Sequence, residues 1–234
     1  MQSIRSLWFW VSAPVFTLSL SLIMMPFALL RARRILHRVA MFWGQIMVKL
    51  AGLKVVVENR DLLHSDRPIL FVVNHQSYLD VPVLMSFIDN PYAYMSKASL
   101  YRVPLFSSIL HGIGCVPVER GDRRRSMQSL MQAADQVRRG RAIMIFPEGT
   151  RSDRIDSLIA FKNGSFILAK KARVPVQGST IFGTGRALPS DQPGRWFPRL
   201  RPGQVRVVIH PVRSPESYEA LSAAELSDEM HRLL

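Results

Sequence analysis

The feature that most restricts the fold of this 234-residue chain is an uncharged, mostly apolar run at residues 7–30. A helix of this length is long enough to cross the hydrocarbon core of a bilayer. Trp8 and Trp10 lie near its first end, where aromatic side chains favour the membrane interface. Its other end is followed by four arginines, Arg31, Arg33, Arg34 and Arg38. The run therefore predicts a membrane anchor with the body of the protein on the cytoplasmic face, as in a bacterial inner membrane.

Two other interpretations of this run stay open. A secretory signal peptide has a shorter apolar core, of about 7–15 residues, and ends at a small-residue cleavage site rather than in arginines. Pro14 and Pro26 can kink the helix, so it can also lie in one leaflet or re-enter it. Residues 35–53 repeat apolar side chains at helical spacing and predict a second, amphipathic helix, packed on lipid, on the first helix or on its own domain.

The charge of the chain indicates an anionic partner. It has 31 lysines and arginines against 17 acidic residues, a formal net charge of +14. Such an excess is typical of proteins that bind nucleic acid, anionic lipid or phosphorylated substrates. Because the chain has neither an RNP-type aromatic string nor a zinc-finger spacing, we expect a phospholipid membrane as partner and no nucleic acid. The single cysteine, Cys115, excludes an internal disulfide.

From residue 54 onward the hydrophobic pattern alternates between strands and helices. Short apolar runs predict strands at 54–58, 68–73, 93–95, 115–119, 142–146, 174–182 and 204–210. Helical spacing and end signals predict helices at 81–88, 104–111, 126–139, 166–173 and 222–234, with a loop at 183–203. This alternation predicts an α/β fold, a single domain whose mostly buried central sheet is covered by helices. The predicted division is a membrane-anchoring helix pair at 1–53 and an α/β domain at 54–234.

The first segment with chemistry in it is 74–80, with the sequence NHQSYLD. His75 follows a buried predicted strand and Asp80 opens the next helix. Across a strand-to-helix turn, the Asp80 carboxylate can bond one imidazole nitrogen and leave the other free to accept a proton. Two plainer roles stay open, because Asp80 can be an ordinary helix N-cap and His75 a structural histidine. A metal site is a third alternative, but the sequence shows no further cluster of ligands.

The second such segment is 146–152, with the sequence FPEGTRS. Phe146 ends a predicted strand at its carboxyl end, where α/β folds place their sites. Gly149 permits a backbone geometry that points amides at an oxyanion. Arg151 can bind a phosphate through two hydrogen bonds, and Glu148 can orient Arg151 or bind a substrate hydroxyl. The alternative is a plain turn with a surface ion pair.

Together these segments resemble the glycerolipid acyltransferases, specifically the 1-acyl-sn-glycerol-3-phosphate acyltransferases of the PlsC type. Four blocks match in order: residues 75–80, a block from Lys97 through Pro104 to Arg120, residues 146–152, and residues 174–176. The resemblance extends over residues 50–215, and the hydrophobic N-terminus is also similar to that of the family. Two places depart from the pattern. Gln177 and Gly178 stand where an apolar residue and a proline are usual, and His210 stands where glycine is common.

The resemblance implies an enzyme, a 1-acylglycerol-3-phosphate O-acyltransferase that makes phosphatidic acid. In this family's mechanism His75 takes the proton from the free hydroxyl of lysophosphatidic acid, Asp80 holds the imidazole, and the oxygen attacks the thioester of acyl-CoA or acyl-carrier protein. The resemblance places the acceptor site at Lys97, Arg120, Glu148, Gly149, Thr150 and Arg151. It implies no metal and no other cofactor.

Several alternatives to this function stay open. The acceptor can be another lysophospholipid or an aminolipid, the protein can be a hydrolase, or it can bind lipid without catalysis. Cys115 is a poor nucleophile because it lies in an apolar stretch without a paired histidine. The arginines at 123–125 and the basic, aromatic loop at 195–201 predict contact with anionic groups of a donor or a membrane, the alternative being a solvated surface.

Overall fold

The computed structural model describes residues 2–64, 68–119, 121–152, 157–189 and 198–234, with only the backbone described at positions 2, 3 and 123. The strands are β1 (Leu53–Glu58), β2 (Leu70–Val73), β3 (Tyr92–Lys97), β4 (Val116–Val118), β5 (Ala142–Ile145), β6 (Val176–Phe182) and β7 (Gly203–Arg213). The α-helices are α1 (Gln2–Leu29), α2 (Arg33–Ala51), α3 (Asp80–Met85), α4 (Pro104–Ile113), α5 (Arg123–Arg138), α6 (Gly164–Ala172), α7 (Thr184–Ala187) and α8 (Ala223–Leu233). Short 3₁₀ helices lie at Arg60–Leu62, Ala98–Arg102 and Pro215–Tyr218.

The strands form one mixed sheet in the order β1-β7-β6-β2-β5-β3-β4. From β6 to β4 all neighbours are parallel, and β1 is parallel to β7. The pair β6–β7 is antiparallel, with a bulge between Gln177 and Ser179. Because parallel strands share one direction, the segments that follow β2, β5, β3 and β4 all leave from the same edge of the sheet.

The central strands are buried on both faces, which explains their nearly continuous apolar sequences. In β2, Phe71 and Val73 pack toward α1, α2 and α3, whereas Leu70 and Val72 pack toward α5, α6 and α8. The predicted α/β fold with a buried central sheet covered by helices is confirmed. The division at residue 53 stays a prediction, and side chains of α1 and α2 pack in the same apolar cluster as those of the sheet.

The helix boundaries follow local signals that the sequence contains. Ser222 and Glu225 form the expected capping box at the start of α8. Asp122 caps α5 by accepting a hydrogen bond from the backbone of Arg125, so this helix begins three residues earlier than predicted and includes the three arginines in its first turn. The predicted loop at 183–203 contains the short helix α7, and residues 190–197 lie outside the described part of the chain.

The first helix lies along the body of the protein. Its buried side chains, Phe9, Ala13, Met24 and Ala28, are spread over most of its length. Near its start, Trp10 donates a hydrogen bond to the carbonyl of Pro198 at 2.8 Å. Near its end, Ala28 packs so closely on α4 that any side chain at Gly112 would collide with it. The opposite face of α1 is apolar and exposed along the whole helix.

The departures at Gln177 and Gly178 have a structural explanation. The Gln177 side chain is fully buried, accepts a hydrogen bond from the backbone of His64 and donates to the carbonyls of Leu62 and His210. It thereby joins β6 to the segment after β1. A side chain larger than hydrogen at Gly178 would meet Leu234 at 2.8 Å, so the bulge brings α8 close to the sheet.

Candidate active site

The parallel strands bring the predicted site residues to one edge of the sheet. His75 follows β2, Glu148 follows β5, and Lys97 is the last residue of β3. These three strands are neighbours, in the order β2-β5-β3. Arg120, which follows β4 in the sequence, lies outside the described residues.

His75 and Asp80 form the predicted pair. Nδ1 of His75 lies 2.7 Å from Oδ2 of Asp80, and the two residues are 7% and 0% exposed. Since an ionised carboxylate can only accept, Nδ1 carries a hydrogen, and in the neutral form of the ring Nε2 keeps its lone pair. The imidazole therefore has the tautomer that a general base requires.

Asp80 is held by the turn and does not cap the helix it begins. Its Oδ2 accepts hydrogen bonds from the backbone N–H groups of Gln76 and Ser77 at 2.7 and 2.9 Å, in addition to the bond from the imidazole Nδ1 of His75. The helix α3 has no side-chain cap. The alternative of an ordinary N-cap is therefore wrong, because the five-residue spacing lets the turn fold the carboxylate back onto the imidazole.

Neighbouring side chains fix the orientation of this turn. The ring of Phe146 stacks on the imidazole of His75 with the centroids 4.0 Å apart and the planes 17° from parallel. Asn74 bonds both the carbonyl and the N–H of Ile181, which extends the pairing between β2 and β6. Ser77 is fully buried and donates to the carbonyl of Leu188, so it is a structural residue rather than a nucleophile.

Glu148 contacts the backbone of His75. Its Oε2 accepts the backbone N–H of His75 at 3.2 Å, and its Oε1 is buried with no hydrogen-bond partner in the described part of the chain. Glu148 is 2% exposed. Burial raises the pKa of this carboxyl to about 8, and the nearby charge of Asp80 raises it further while the His75 N–H opposes the shift. The surroundings of Glu148 therefore favour its protonated form.

Arg151 belongs to the same site as His75. The N–H of Ser152, the next residue, donates to the His75 carbonyl at 2.8 Å. The Arg151 guanidinium lies 3.7 Å from the ring centroid of Tyr78, and its Nε is buried without a hydrogen-bond partner in the described regions. The surface ion pair considered from the sequence is not formed with any described residue.

Gly149 and Thr150 complete this segment. Gly149 has a φ of +70°, which favours glycine, and a Cβ there would lie 2.7 Å from Nζ of Lys162. Thr150 is exposed. The sequence analysis missed Lys162, whose ammonium lies against this turn because its backbone N–H donates to the Pro147 carbonyl at 2.8 Å. A lysine 14 residues after Glu148, two residues before the glycine that opens α6, is the signal that could have identified it.

A cleft of about 530 Å³ adjoins this site. Lys97 and Lys162 are exposed on its rim, Phe146 and Gly149 contribute its wall, and its floor contains Met95 and Leu130 among other apolar side chains. A second, largely apolar groove of about 690 Å³ lies between α1 and the turn at Tyr78 and Leu79. Phe146, which stacks on His75, lines the cleft, and Tyr78 and Leu79 of the turn line the groove, so His75 lies near both.

Cys115 does not take part in this chemistry. Its thiol is buried and accepts a hydrogen bond from the backbone of Tyr94, and burial raises its pKa to about 11. No group of three or more His, Cys, Asp or Glu side chains gathers within the described ranges. Arg195, Trp196 and Phe197 of the predicted interfacial loop lie outside those ranges.

An imidazole with a buried carboxylate partner, next to cationic side chains at the carboxyl edge of a sheet, is an arrangement typical of enzymes that act on a hydroxyl beside an anionic group. The sequence profile of the Acyltransferase family matches residues 54–181. The chain belongs to this family, and the resemblance recognised from the sequence is confirmed.

Individual relatives agree with this assignment. A chloroplastic 1-acyl-sn-glycerol-3-phosphate acyltransferase of Brassica napus is 36% identical over 79% of this chain and 53% of its own length. A protein of the same name from Chlamydomonas reinhardtii is 33% identical over 88% of this chain and 61% of its own length. The chain thus spans little more than half the length of these relatives.

The fold also has a counterpart of known structure. The crystal structure of the 1-acyl-sn-glycerophosphate (LPA) acyltransferase PlsC from Thermotoga maritima superposes with a TM-score of 0.81 at 27% sequence identity. The match covers 100% of this chain and 94% of the Thermotoga chain, so it includes the N-terminal helix pair.

Proposed function

We propose that this protein transfers an acyl chain from a thioester donor to the free hydroxyl of lysophosphatidic acid, giving phosphatidic acid. The observation that carries the proposal is the 2.7 Å bond between His75 and Asp80 in a turn bonded to the segment of Arg151. In this proposal His75 is the base and Arg151 the anion-binding group beside it, as a phosphorylated alcohol requires. The names of the relatives and of the superposed structure support the same reaction.

The chemistry follows from the tautomer of His75. Nε2 accepts the proton of the acceptor hydroxyl while the hydroxyl oxygen attacks the thioester carbonyl carbon. The π electrons of that carbonyl move onto the carbonyl oxygen. Collapse of this tetrahedral intermediate breaks the carbon–sulfur bond, and the imidazolium returns the proton to the leaving thiolate. Asp80 stabilises the transient positive charge. General base catalysis of this kind accelerates a reaction on the order of 10²–10⁴-fold.

The acceptor phosphate would be bound by Arg151, with Lys97 and Lys162 at the rim of the adjoining cleft. The stacked guanidinium of Arg151 is pre-organised for two parallel bonds to a phosphate. Glu148, whose protonated form is favoured by burial, presents its unpartnered Oε1 as a hydrogen-bond group for the glycerol. Arg120, Gly149 and Thr150 stay predicted members of this site.

For the membrane partner we propose attachment in the plane of one leaflet. The helix from Ile4 to Leu29 is long and apolar enough to cross a bilayer. Contacts near both of its ends with the same α/β body favour a helix that lies on the surface, with its exposed apolar face in the lipid. A cytoplasmic orientation at a bacterial inner membrane remains the sequence-based prediction.

The test is a transfer assay with the purified full chain, labelled lysophosphatidic acid, and either acyl-CoA or acyl-carrier protein as donor. We expect phosphatidic acid with at least one donor, and less product with acceptors that lack a phosphomonoester. Free fatty acid formed equally with and without acceptor would identify a hydrolase instead. Absence of both products with either donor would favour a protein that binds lipid without catalysis.

A matched pair of arginine variants tests the phosphate site. Arg151 lies over the ring of Tyr78, and Arg206 of β7 lies over the ring of Phe182 of β6. Arg151→Ala should raise KM for lysophosphatidic acid by about tenfold or more, the effect of losing a charge-assisted bond. Arg206→Ala should leave KM unchanged. Equal effects in the two variants would remove Arg151 from the acceptor site.

A further inference from the structure

A second group of cationic side chains lies where the turn between α1 and α2 meets the loop between α5 and β5. A Cβ built on Gly114 would be 3.2 Å from Nη1 of Arg141 and 3.9 Å from Nε of Arg33. Both nitrogens therefore lie near one point and are no more than about 7 Å apart. Ala13 of α1 lines the apolar groove together with Tyr78 and Leu79 of the turn that holds His75. From Ala13 to Leu29, which precedes the cationic group, α1 rises about 24 Å. The cationic group is therefore remote from the site described above.

The charges of this group are poorly compensated. Nε of Arg33 is buried and has no hydrogen-bond partner among the described residues. Nη1 of Arg141 donates to the neutral Gln136 side chain at 2.8 Å. The carboxylate in the vicinity, Asp135, bonds Arg139 at 2.9 Å. Partial burial lowers the pKa of Arg141, and the positive charges of Arg33, Arg139 and Arg31 lower it further against the opposing effect of Asp135.

The beginning of α2 adds to the same positive potential. Its N-cap, Ala32, has no side chain that can accept a hydrogen bond, and its first turn contains no acidic residue. Instead, Arg33 and Arg34 occupy the first turn, where the helix dipole disfavours cations. An anion bound at this point would compensate the arginines and the helix end together.

The surroundings indicate which anion this is. Leu29 and Leu30, which precede the turn, are 72% and 78% exposed, and Ile35 on α2 is also exposed. A free phosphate ion makes no favourable contact with adjacent apolar side chains. The phosphate of a phospholipid, in contrast, lies directly above its own acyl chains, which can contact them. Arginines flanked by exposed leucines match that layering.

We infer that Arg33 and Arg141 together bind the phosphate of an anionic phospholipid in the membrane surface, at a site separate from the catalytic cleft. This inference rests on the membrane attachment proposed above. Bridging by one phosphate predicts that the two arginines act as a unit, so each single substitution should lose most of what the double substitution loses. Two independent charges would instead contribute additively.

The test compares vesicle binding of the full chain to phosphatidylcholine alone and to phosphatidylcholine containing phosphatidylglycerol. In Arg33→Gln/Arg141→Gln the preference for the anionic vesicles should fall about tenfold or more, as expected for two cations at a lipid surface. The matched control, Arg206→Gln/Arg232→Gln, removes two exposed arginines from β7 and α8 and should keep the preference. Arg33→Lys/Arg141→Lys keeps both positive charges and should therefore retain part of the preference for the anionic vesicles.

Each other outcome overturns the inference. If the double variant and the control lost the preference for anionic vesicles equally, the net charge of the protein alone would determine that preference. Stabilisation of the vesicle-free protein by inorganic phosphate over chloride of equal ionic strength, abolished by Arg33→Gln, would make free phosphate the ligand. Failure of the unsubstituted chain to bind phosphatidylcholine would instead refute the membrane attachment. Acyl transfer in neutral detergent should be unchanged in the double variant.

Discussion

Two histidines in different regions of this molecule make hydrogen bonds of the same length with different consequences. His75, in the turn after β2, lies 2.7 Å from a carboxylate oxygen of Asp80. His210, within the β6–β7 pair, has Nε2 at 2.7 Å from the hydroxyl of Thr180. That hydroxyl donates its hydrogen to the carbonyl of Leu234, so it accepts from His210.

In the proposed mechanism the charge of the partner decides whether an imidazole can act as a base, since the buried His75 meets a carboxylate and the half-buried His210 meets a neutral hydroxyl. Asp80 stabilises a positive ring and directs the lone pair of His75 outward. Thr180 carries no charge, and burial lowers the pKa of His210. The first pair is suited to accept a proton, whereas the second joins two strands to the end of α8.

The most direct way to break this comparison is to remove each ring. His75→Ala should lower kcat for acyl transfer by on the order of 10²–10⁴-fold, because the base is lost. His210→Ala should leave kcat within about threefold and lower the melting temperature instead, since it loses a cross-strand hydrogen bond. Activity assays and thermal unfolding of both variants check this. Comparable losses of activity would end the distinction between the two histidines.

Replacing the carboxylate sharpens the same point. Asp80→Asn keeps the shape but places an amide where three donors converge, so we expect a loss of transfer on the order of 10²-fold, together with reduced stability. A kcat measurement at temperatures where the variant is fully folded separates the two effects. Retention of full activity by the folded variant would show that the charge of Asp80 is not needed.

Opposite pH dependences should distinguish the two regions. The pKa of Glu148 is raised from 4.5 to about 8, so the unfolded chain releases this proton at lower pH than the folded chain, and stability falls as pH rises from 4.5 to 8. Glu148→Gln should remove up to about 4 kcal/mol of this dependence. The pKa of His210 is lowered by burial, so below pH 6.5 the unfolded chain binds this proton more readily than the folded chain, and the free energy of unfolding decreases. Denaturant unfolding between pH 5 and 9 checks both directions, and identical profiles for Glu148→Gln and the unsubstituted chain would contradict the burial argument.

The smallest expected effect is that of Thr180→Val. Losing the hydroxyl leaves His210 and the Leu234 carbonyl without a partner, which should lower the free energy of unfolding by about 1–2 kcal/mol while transfer is unchanged. Urea unfolding and the acyl transfer assay check this. A loss of activity with stability intact would place Thr180 in the catalytic machinery.

Much of the fold and part of the site follow from local patterns. The buried strands, the capping box of α8 and the helical spacing of α2 depend on neighbouring residues, and the structure confirms them. His75, Asp80 and Arg151 were identified because short segments hold their chemistry together. Their order along one sheet edge follows from the parallel topology.

Other features depend on contacts between distant segments, and no local pattern contains them. Lys162 reaches Gly149 through a backbone bond to Pro147, and Gln177 is buried because three backbone groups from other segments converge on it. The raised pKa of Glu148 needs the burial of the assembled turn. The meeting of Arg33 with Arg141 joins parts of the chain more than 100 residues apart.

The contacts of α1 have a consequence for synthesis. Ser6 and Trp10 bond residues 188 to 194 positions further along the chain. At about 5–20 residues per second, a ribosome needs roughly 10–40 s to deliver these partners after the helix has emerged. During that interval the nascent helix has no body to lie on, so we expect it to meet lipid or a chaperone first, and folding to end with its recapture by the last third of the chain.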